Sequence, residues 1–240
     1  MYRHFFKRIL DIVCSLLALI VFCWLYAIIA IQVRVKLGSP VLFTQIRPGK
    51  KDKGGKEKLF KLYKFRTMTD EKDAGGKLLP DEVRLTKFGA WLRSTSLDEL
   101  PEAINILKGD MSVIGPRPQL VRDMVFMTEE QRHRHDVKPG LSGLAQVRGR
   151  NAISWEDKLS TDLEYIKKIS FWFDLRIVFE TVVKFLKRED ITQDDMATAE
   201  DYGDYLLRVG RVSQEEYSRN QEEALRLLTF NLHLVTRKRH

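Results

Sequence analysis

Cysteine is almost missing from these 240 residues: the only two, Cys14 and Cys23, lie in the first apolar stretch. That placement argues against a disulfide framework or a cysteine-based metal site, and nothing points to an oxidising compartment. Proline and glycine are missing altogether between Ile9 and Leu37, so no residue there forces a helix to kink. An excess of acid is missing too. Lys plus Arg number 41 against 33 Asp plus Glu, and the net charge of +8 favours an anionic partner: a phospholipid surface, a nucleotide or a nucleic acid. There is no internal repeat and no long low-complexity tract, which excludes a repeat array.

What is present begins with an uncharged run over residues 12–33, preceded by Arg3, Lys7 and Arg8 and followed by Arg34 and Lys36. Roughly 20 apolar residues suffice to cross a ~30 Å hydrocarbon core, so this segment enters a bilayer. Basic flanks prefer the cytoplasmic side, and here both flanks ask for it. A helix that dips in and returns satisfies both, whereas an unbroken helix of this length could also span; re-entry is the preferred expectation. The run is too long for the apolar region of a secretory signal and leads to Gln32-Val33-Arg34 rather than a small-residue cleavage site. The remainder reads as one globular domain with an appended tail.

Along the chain, Gly38-Ser39-Pro40 stops any helix and residues 41–45 read as a strand. Arg47-Pro48-Gly49 turns into a Lys/Gly-rich loop over 50–58. A second strand over 59–68 carries Lys61, Lys64 and Arg66, giving a predicted hairpin with a basic loop. Past a polar connector at 70–81, helical patterns cover 83–92 and 97–107. Further helices are expected over 119–127 and 129–135, then a short strand over 144–147. Helices resume at 155–168 and 171–187. In the latter, Phe171, Leu175, Val178, Val182 and Phe185 form an apolar stripe that suits either the core or the membrane interface. Beyond Glu189 the chain is polar, with an amphipathic helix over 214–234 and a basic end at 237–240. The expected fold class is α+β. It comprises a membrane-inserted, re-entrant N-terminal helix, a helix-rich cytoplasmic domain with a small β-hairpin, and interfacial amphipathic helices.

The sharpest chemical signal is Arg93-Ser94-Thr95-Ser96-Leu97-Asp98-Glu99-Leu100-Pro101. Ser96 and Glu99 have the spacing of a helix capping box, which is the plain structural alternative. Pro101 weakens it, having no N–H to give to Leu97. Two adjacent carboxylates at an irregular helix start, next to Arg93, can provide a nucleophile for phosphorus and a ligand for a divalent cation. In Gly115-Pro116-Arg117-Pro118 two prolines fix the backbone around one guanidinium, whose planar fork suits phosphate oxygens; a surface turn is the alternative. Arg148-Gly149-Arg150-Asn151 combines close backbone approach with charge, and Lys64 and Arg66 add two cations. One acidic pair amid many cations is what a pyrophosphate plus metal needs.

With these residues in place, the chain resembles the monotopic phosphoglycosyl transferases, bacterial enzymes that start glycan assembly on a lipid carrier. The stretches FKRILDI, VLFTQIRPG, FKLYKFRTM, RSTSLDEL, LKGDMSVIGPRP, KPGLSGLAQVRGRNAISW and ISFWFDL carry the resemblance, in family order, to about Arg188. It implies transfer of a sugar phosphate from a UDP-sugar to a polyprenol phosphate such as undecaprenyl phosphate, with release of UMP. By that resemblance Asp98 attacks phosphorus and becomes the phosphosugar carrier. Glu99 holds Mg²⁺, with Asp98 as a second candidate ligand, and Arg93, Arg117 and Arg150, with Lys64 and Arg66, neutralise phosphate oxygens. It also implies a bacterial inner-membrane enzyme with its catalytic domain on the cytoplasmic face. The chain divides accordingly into a membrane-associated helix (1–37), a catalytic domain (38–188) and a C-terminal extension (189–240). One departure stands out: the family commonly breaks its membrane helix with Ser-Pro, where this chain has Cys23-Trp24. The alternative from another class is a membrane-tethered, non-catalytic binder of anionic lipid or nucleic acid. The chain shows neither a recognition helix nor a stacking-aromatic module, so no nucleic-acid partner is expected.

Overall fold

A computed structural model of the chain describes residues 1–149, 153–187 and 200–237, with side chains described through residue 230. A π-helical turn at Tyr2–Phe6 leads into α1 (Lys7–Val21), and α2 (Cys23–Leu37) follows a break at Phe22, where the axes bend by 65°. No single helix among the described residues is long and apolar enough to cross a membrane; the bent pair meets that test only as a unit. The bend occurs without proline or glycine, and its cause is tertiary. At one end, Arg8 donates to the carbonyls of Ile106 and Leu107, Lys7 pairs with Asp174 at 2.5 Å, and buried Asp11 accepts from Ser112 Oγ and Val113 N, both at 2.8 Å. At the other end Ile29, Val33 and Leu37 pack with Phe65 and Leu92. Both arms are thus fastened to one globular body, and the chain must turn between them.

Strands β1 (Leu42–Lys51) and β2 (Glu57–Phe65) form the expected antiparallel hairpin, with Leu42 opposite Phe65 and Gln45 opposite Leu62. The strands run further into the basic loop than its composition suggests. Only a tight turn remains, in which Asp52 Oδ1 accepts from the backbone N–H groups of Gly54 and Lys56. The helical pattern over 83–92 resolves into α3 (Asp81–Arg84) and α4 (Lys87–Ser94). Thr86 caps α4 by accepting from Gly89 N. The pattern over 97–107 splits at Pro101 into a 3₁₀ turn, Leu97–Glu99, and α5 (Glu102–Lys108).

A parallel pair, β3 (Ser112–Ile114) and β4 (Gly140–Ser142), brackets two short helices, α6 (Val121–Met124) and α7 (Glu129–Arg132), and a 3₁₀ turn at His133–Asp136. The β3–β4 crossing is so close that a Cβ on Gly140 would lie 2.1 Å from Gly115 N. The strand expected over 144–147 is a helix instead, α8 (Leu144–Arg148). Leu144 and Val147, three apart, are both buried with Tyr165 and Ile177, which is helical spacing; the alternating pattern of a strand would bury residues two apart.

Helices α9 (Trp155–Lys168) and α10 (Phe171–Lys187) form over the expected residues. On α10 only Asp174 and Ile177 are buried, while the stripe Phe171, Leu175, Val178, Val182 and Phe185 lies outward and Trp172 is 75% exposed. The stripe therefore does not face the core. Asp174 Oδ2 accepts from Tyr2 OH at 2.6 Å and its Oδ1 from Tyr165 OH at 2.8 Å. These bonds, with Lys7, lock the start of α10 to the start of α1. The sequence-derived domain boundary at 188–189 lies outside the described residues. Past it, α11 (Tyr202–Arg208) and α12 (Gln214–Arg237) pack back on α6: Tyr202 and Leu206 join Phe126 and Met127, and Ala224 joins Val121 and Met124.

Candidate active site

The Asp98-Glu99 pair sits on the 3₁₀ turn, and the local chain explains why no ordinary helix starts there. Ser96 adopts a left-handed conformation (φ 52°), uncommon for a non-glycine residue, and its side chain caps nothing. The capping-box alternative therefore fails. Three residues per turn eclipse Leu97 and Leu100, and both pack on the cluster of Ile29, Val33 and Phe65. Tyr26 OH on α2 donates to the Leu100 carbonyl. The turn is thus seated on the second arm of the N-terminal helix pair, leaving the two acids to meet cations.

Two cations converge on one oxygen of Glu99. Lys64 Nζ, from β2, and Arg117 Nη2, from the segment after β3, each lie 2.7 Å from Oε1. Buried Asn105 explains the placement of Lys64. Its Oδ1 accepts from Tyr63 N and its Nδ2 donates to Lys61 O, clasping β2 onto α5. Lys64 also lies 3.3 Å from Glu102, a buried third carboxylate. Asp98 is buried and, among the described residues, accepts no hydrogen bond. Arg93, whose Nε donates to Thr67 Oγ1 at 3.1 Å, contributes its charge to Asp98 from the end of α4.

Burial and charge separate the two acids. Burial raises the Asp98 pKa to about 6 despite the nearby Lys64, and the Glu99 charge adds to the rise. Burial acts the same way on Glu99, but Arg117 and Lys64 beside it prevail and hold it well below the usual carboxylate range. Glu102 is pushed up to about 7 by burial and by Glu99. Burial disfavours the Lys64 charge, yet Glu99 and Glu102 outweigh it and raise its pKa; Glu99 likewise raises that of Arg117. The arrangement is one firmly ionised acid beside a second whose proton is exchangeable near neutral pH.

Other sequence-derived candidates lie elsewhere or face other partners. Arg66 donates to the carbonyls of Met68 and Ser39 and pairs with Asp70 at 2.7 Å, bracing the base of the hairpin. Arg148 pairs with Glu164 on α9. Arg150 lies outside the described residues. Sequence reasoning passed over Glu102, Asn105 and Tyr26, which carried no motif of their own.

No group of three or more acid, His or Cys side chains among the described residues is arranged to hold a metal ion by itself. Mg²⁺ commonly needs only one or two protein carboxylates when phosphate oxygens and water complete its shell. Asp98 and Glu99 Oε2, which accepts no hydrogen bond among the described residues, meet that lesser demand, so the donor set fits a cation arriving with a diphosphate.

The chain is similar to known proteins over most of its length. The family profile described as bacterial sugar transferase matches residues 2–188. An uncharacterized sugar transferase, EpsL, of Bacillus subtilis is 50% identical over 194 residues, covering 81% of this chain and 94% of that protein. The UDP-glucose:undecaprenyl-phosphate glucose-1-phosphate transferase of Klebsiella pneumoniae is 40% identical over 189 residues, covering 75% of this chain but 40% of that longer protein. The like-named Escherichia coli protein is 39% identical over 188 residues, 74% of this chain and 39% of its own. The matched region contains the acidic pair and every cation described around it, and the chain belongs to the bacterial sugar transferase family.

Proposed function

We propose that this enzyme transfers a sugar phosphate from a UDP-sugar to a polyprenol phosphate, undecaprenyl phosphate by analogy with the named relatives, in the first membrane step of bacterial glycan assembly. Membership of a transferase family removes the reading as a non-catalytic binder. The observation that carries the proposal is Asp98: a buried carboxylate that accepts no hydrogen bond among the described residues, in the field of Lys64, Arg93 and Arg117. A nucleophile must keep a lone pair available to the incoming phosphorus, and no described side chain takes up those of Asp98.

In the proposed scheme an Asp98 oxygen attacks the sugar-bearing phosphorus of the donor. The P–O bond to the departing nucleotide phosphate breaks, and UMP leaves. A polyprenol phosphate oxygen then attacks the same phosphorus, the Asp98–phosphorus bond breaks, and the carboxylate is restored. Arg117, Arg93 and Lys64 offset the charge on the phosphoryl oxygens, and phosphoryl transfer depends mainly on such positioning and charge stabilisation. Glu99, with Asp98, would hold Mg²⁺. When bound, the ion would neutralise diphosphate charge.

The site is proposed to work at the inner membrane, on its cytoplasmic face. We read α1 and α2 as a re-entrant pair because both arms are fastened to the same globular body, whereas a spanning helix would send its ends to opposite faces. The outward stripe of α10 is proposed to lie in the interface, locked to α1 through Asp174. The test uses purified protein in nanodiscs with Mg²⁺, undecaprenyl phosphate and a panel of UDP-sugars. Wild type should release UMP with one donor and Asp98→Asn should not. Release of UDP instead would indicate transfer of sugar without its phosphate.

A further inference from the structure

The segment that presents Arg117 is held by its own backbone. The Pro116 carbonyl accepts from Gly140 N at 2.9 Å, the Arg117 carbonyl from Arg134 Nη2 at 2.7 Å, and the Pro118 carbonyl from Arg47 Nη1 at 3.0 Å. Of these the Arg134 contact is the least expected. Arg134 is 2% exposed, and the same Nη2 together with Nε donates to Asp162 Oδ2 on α9, at 2.7 and 3.0 Å. Asp162 is 3% exposed. A buried ion pair rarely stabilises a fold more than well-packed apolar side chains would, so its presence calls for another account. Here the guanidinium points one edge at Asp162 and turns Nη2 onto the main chain of the residue whose side chain grips Glu99.

We infer that Arg134, oriented by Asp162, is a positioning residue that sets the Arg117 guanidinium against Glu99 and the donor phosphate. Arg134 touches neither; it acts through the Arg117 carbonyl. The catalytic part of this inference rests on the phosphosugar-transfer reading, while the geometric part does not. Lysine could not replace Arg134, because an ammonium lacks the planar fork that serves a carboxylate and a carbonyl in two fixed directions.

The test is a double-mutant cycle on UMP release in nanodiscs. Arg134→Met/Asp162→Leu removes both buried charges together, so the fold should survive. A misplacement on the order of 1 Å can cost up to about 100-fold, so a loss of roughly 10- to 100-fold in kcat is expected. In an Arg117→Ala background the same double substitution should cost less than about 2-fold, because the group it positions is already gone. An equal loss in both backgrounds, or none in the first, would overturn the inference. If the double variant does not fold, Arg134→Lys enters the same cycle with the same expected pattern. A second readout needs no turnover: the Arg117 Nε–Hε resonance of ¹⁵N-arginine-labelled protein, assigned by its absence in Arg117→Lys. It should move in the Arg134 variants to where Glu99→Gln places it; an unmoved resonance refutes the positioning. Wild type that releases no UMP while this resonance moves would instead refute the transfer reading and leave the positioning standing.

Discussion

Asp98→Asn should make the protein both inactive and more stable, and the size of the second effect follows from the structure. Burial lifts the Asp98 pKa from 3.8 to about 6, and that net value already includes the attraction of Lys64, Arg93 and Arg117. About two pH units correspond to ~3 kcal/mol by which folding disfavours the ionised form. The sign follows from proton binding. Between pH ~4 and ~6 the unfolded chain has lost the proton that the folded protein keeps, so stability from this group falls as pH rises, and the deficit is complete above about 6. Asparagine keeps the volume and carries no charge. At pH 7.5 its thermal midpoint should therefore rise by several degrees, since ~1 kcal/mol moves the midpoint of a chain this size by ~2–4 °C. At pH 4 the gain should vanish. Turnover should fall by ~10³-fold or more with the nucleophile gone, and wild-type kcat/KM should climb as pH passes through about 6. Thermal unfolding and UMP release on one preparation decide the matter. A variant less stable than wild type at pH 7.5, or equally stabilised at both pH values, would refute the argument that Asp98 is held against its preference for function.

Glu99→Gln removes the charge that gathers Lys64 and Arg117; kcat should fall by ~100-fold and the Mg²⁺ titration should shift to higher concentration, and an unchanged titration would contradict a ligand role. Gly89→Ala would set a Cβ 1.8 Å from the Thr67 carbonyl oxygen, forcing α4 away from the segment that follows β2. A loss of ~3 kcal/mol, seen in the thermal midpoint, should accompany loosened placement of Arg93, which Thr67 holds. In nanodiscs of brominated lipid, tryptophan fluorescence should be quenched less in Trp172→Phe than in wild type; equal quenching would show that the outer face of α10 does not meet the bilayer.

How much of this was legible beforehand depended on the range of the deciding interaction. The hairpin, α9 and α10 follow from periodicity and turn residues, which act within a few positions. The bend at Phe22 does not: no local residue causes it, and its reason is a set of contacts from Arg8 to Ile106 and from Val33 to Phe65 that no local pattern encodes. The helix at 144–147 is hidden from the sequence for a related reason. Four residues hold too little periodicity to separate a strand from a helical turn, and only the shared burial of Leu144 and Val147 decides.

At the site, the acids and Arg117 were legible because proline marks them: Pro101 denies Asp98 and Glu99 a regular helix, while Pro116 and Pro118 flank the guanidinium. Arg66 shows the limit of reading charge alone. It lies two residues after Lys64 in a strand register, where successive side chains alternate between faces, and residues two apart should share one. Yet Lys64 reaches Glu99 and Arg66 turns to Ser39, Met68 and Asp70, because β2 ends at Phe65 and the alternation ends with it. Lys64 sits inside the ladder and inherits its geometry; Arg66 lies one residue outside, its N–H still bonded to the Val41 carbonyl, and its side chain braces the loop. Each of the two cations on Glu99 has a side chain bonded to the backbone beneath it: Asn105 beside Lys64, and Arg134 and Arg47 around Arg117. Asn105 and Arg134 are buried polar side chains without motifs, so they emerge only when the chain is folded.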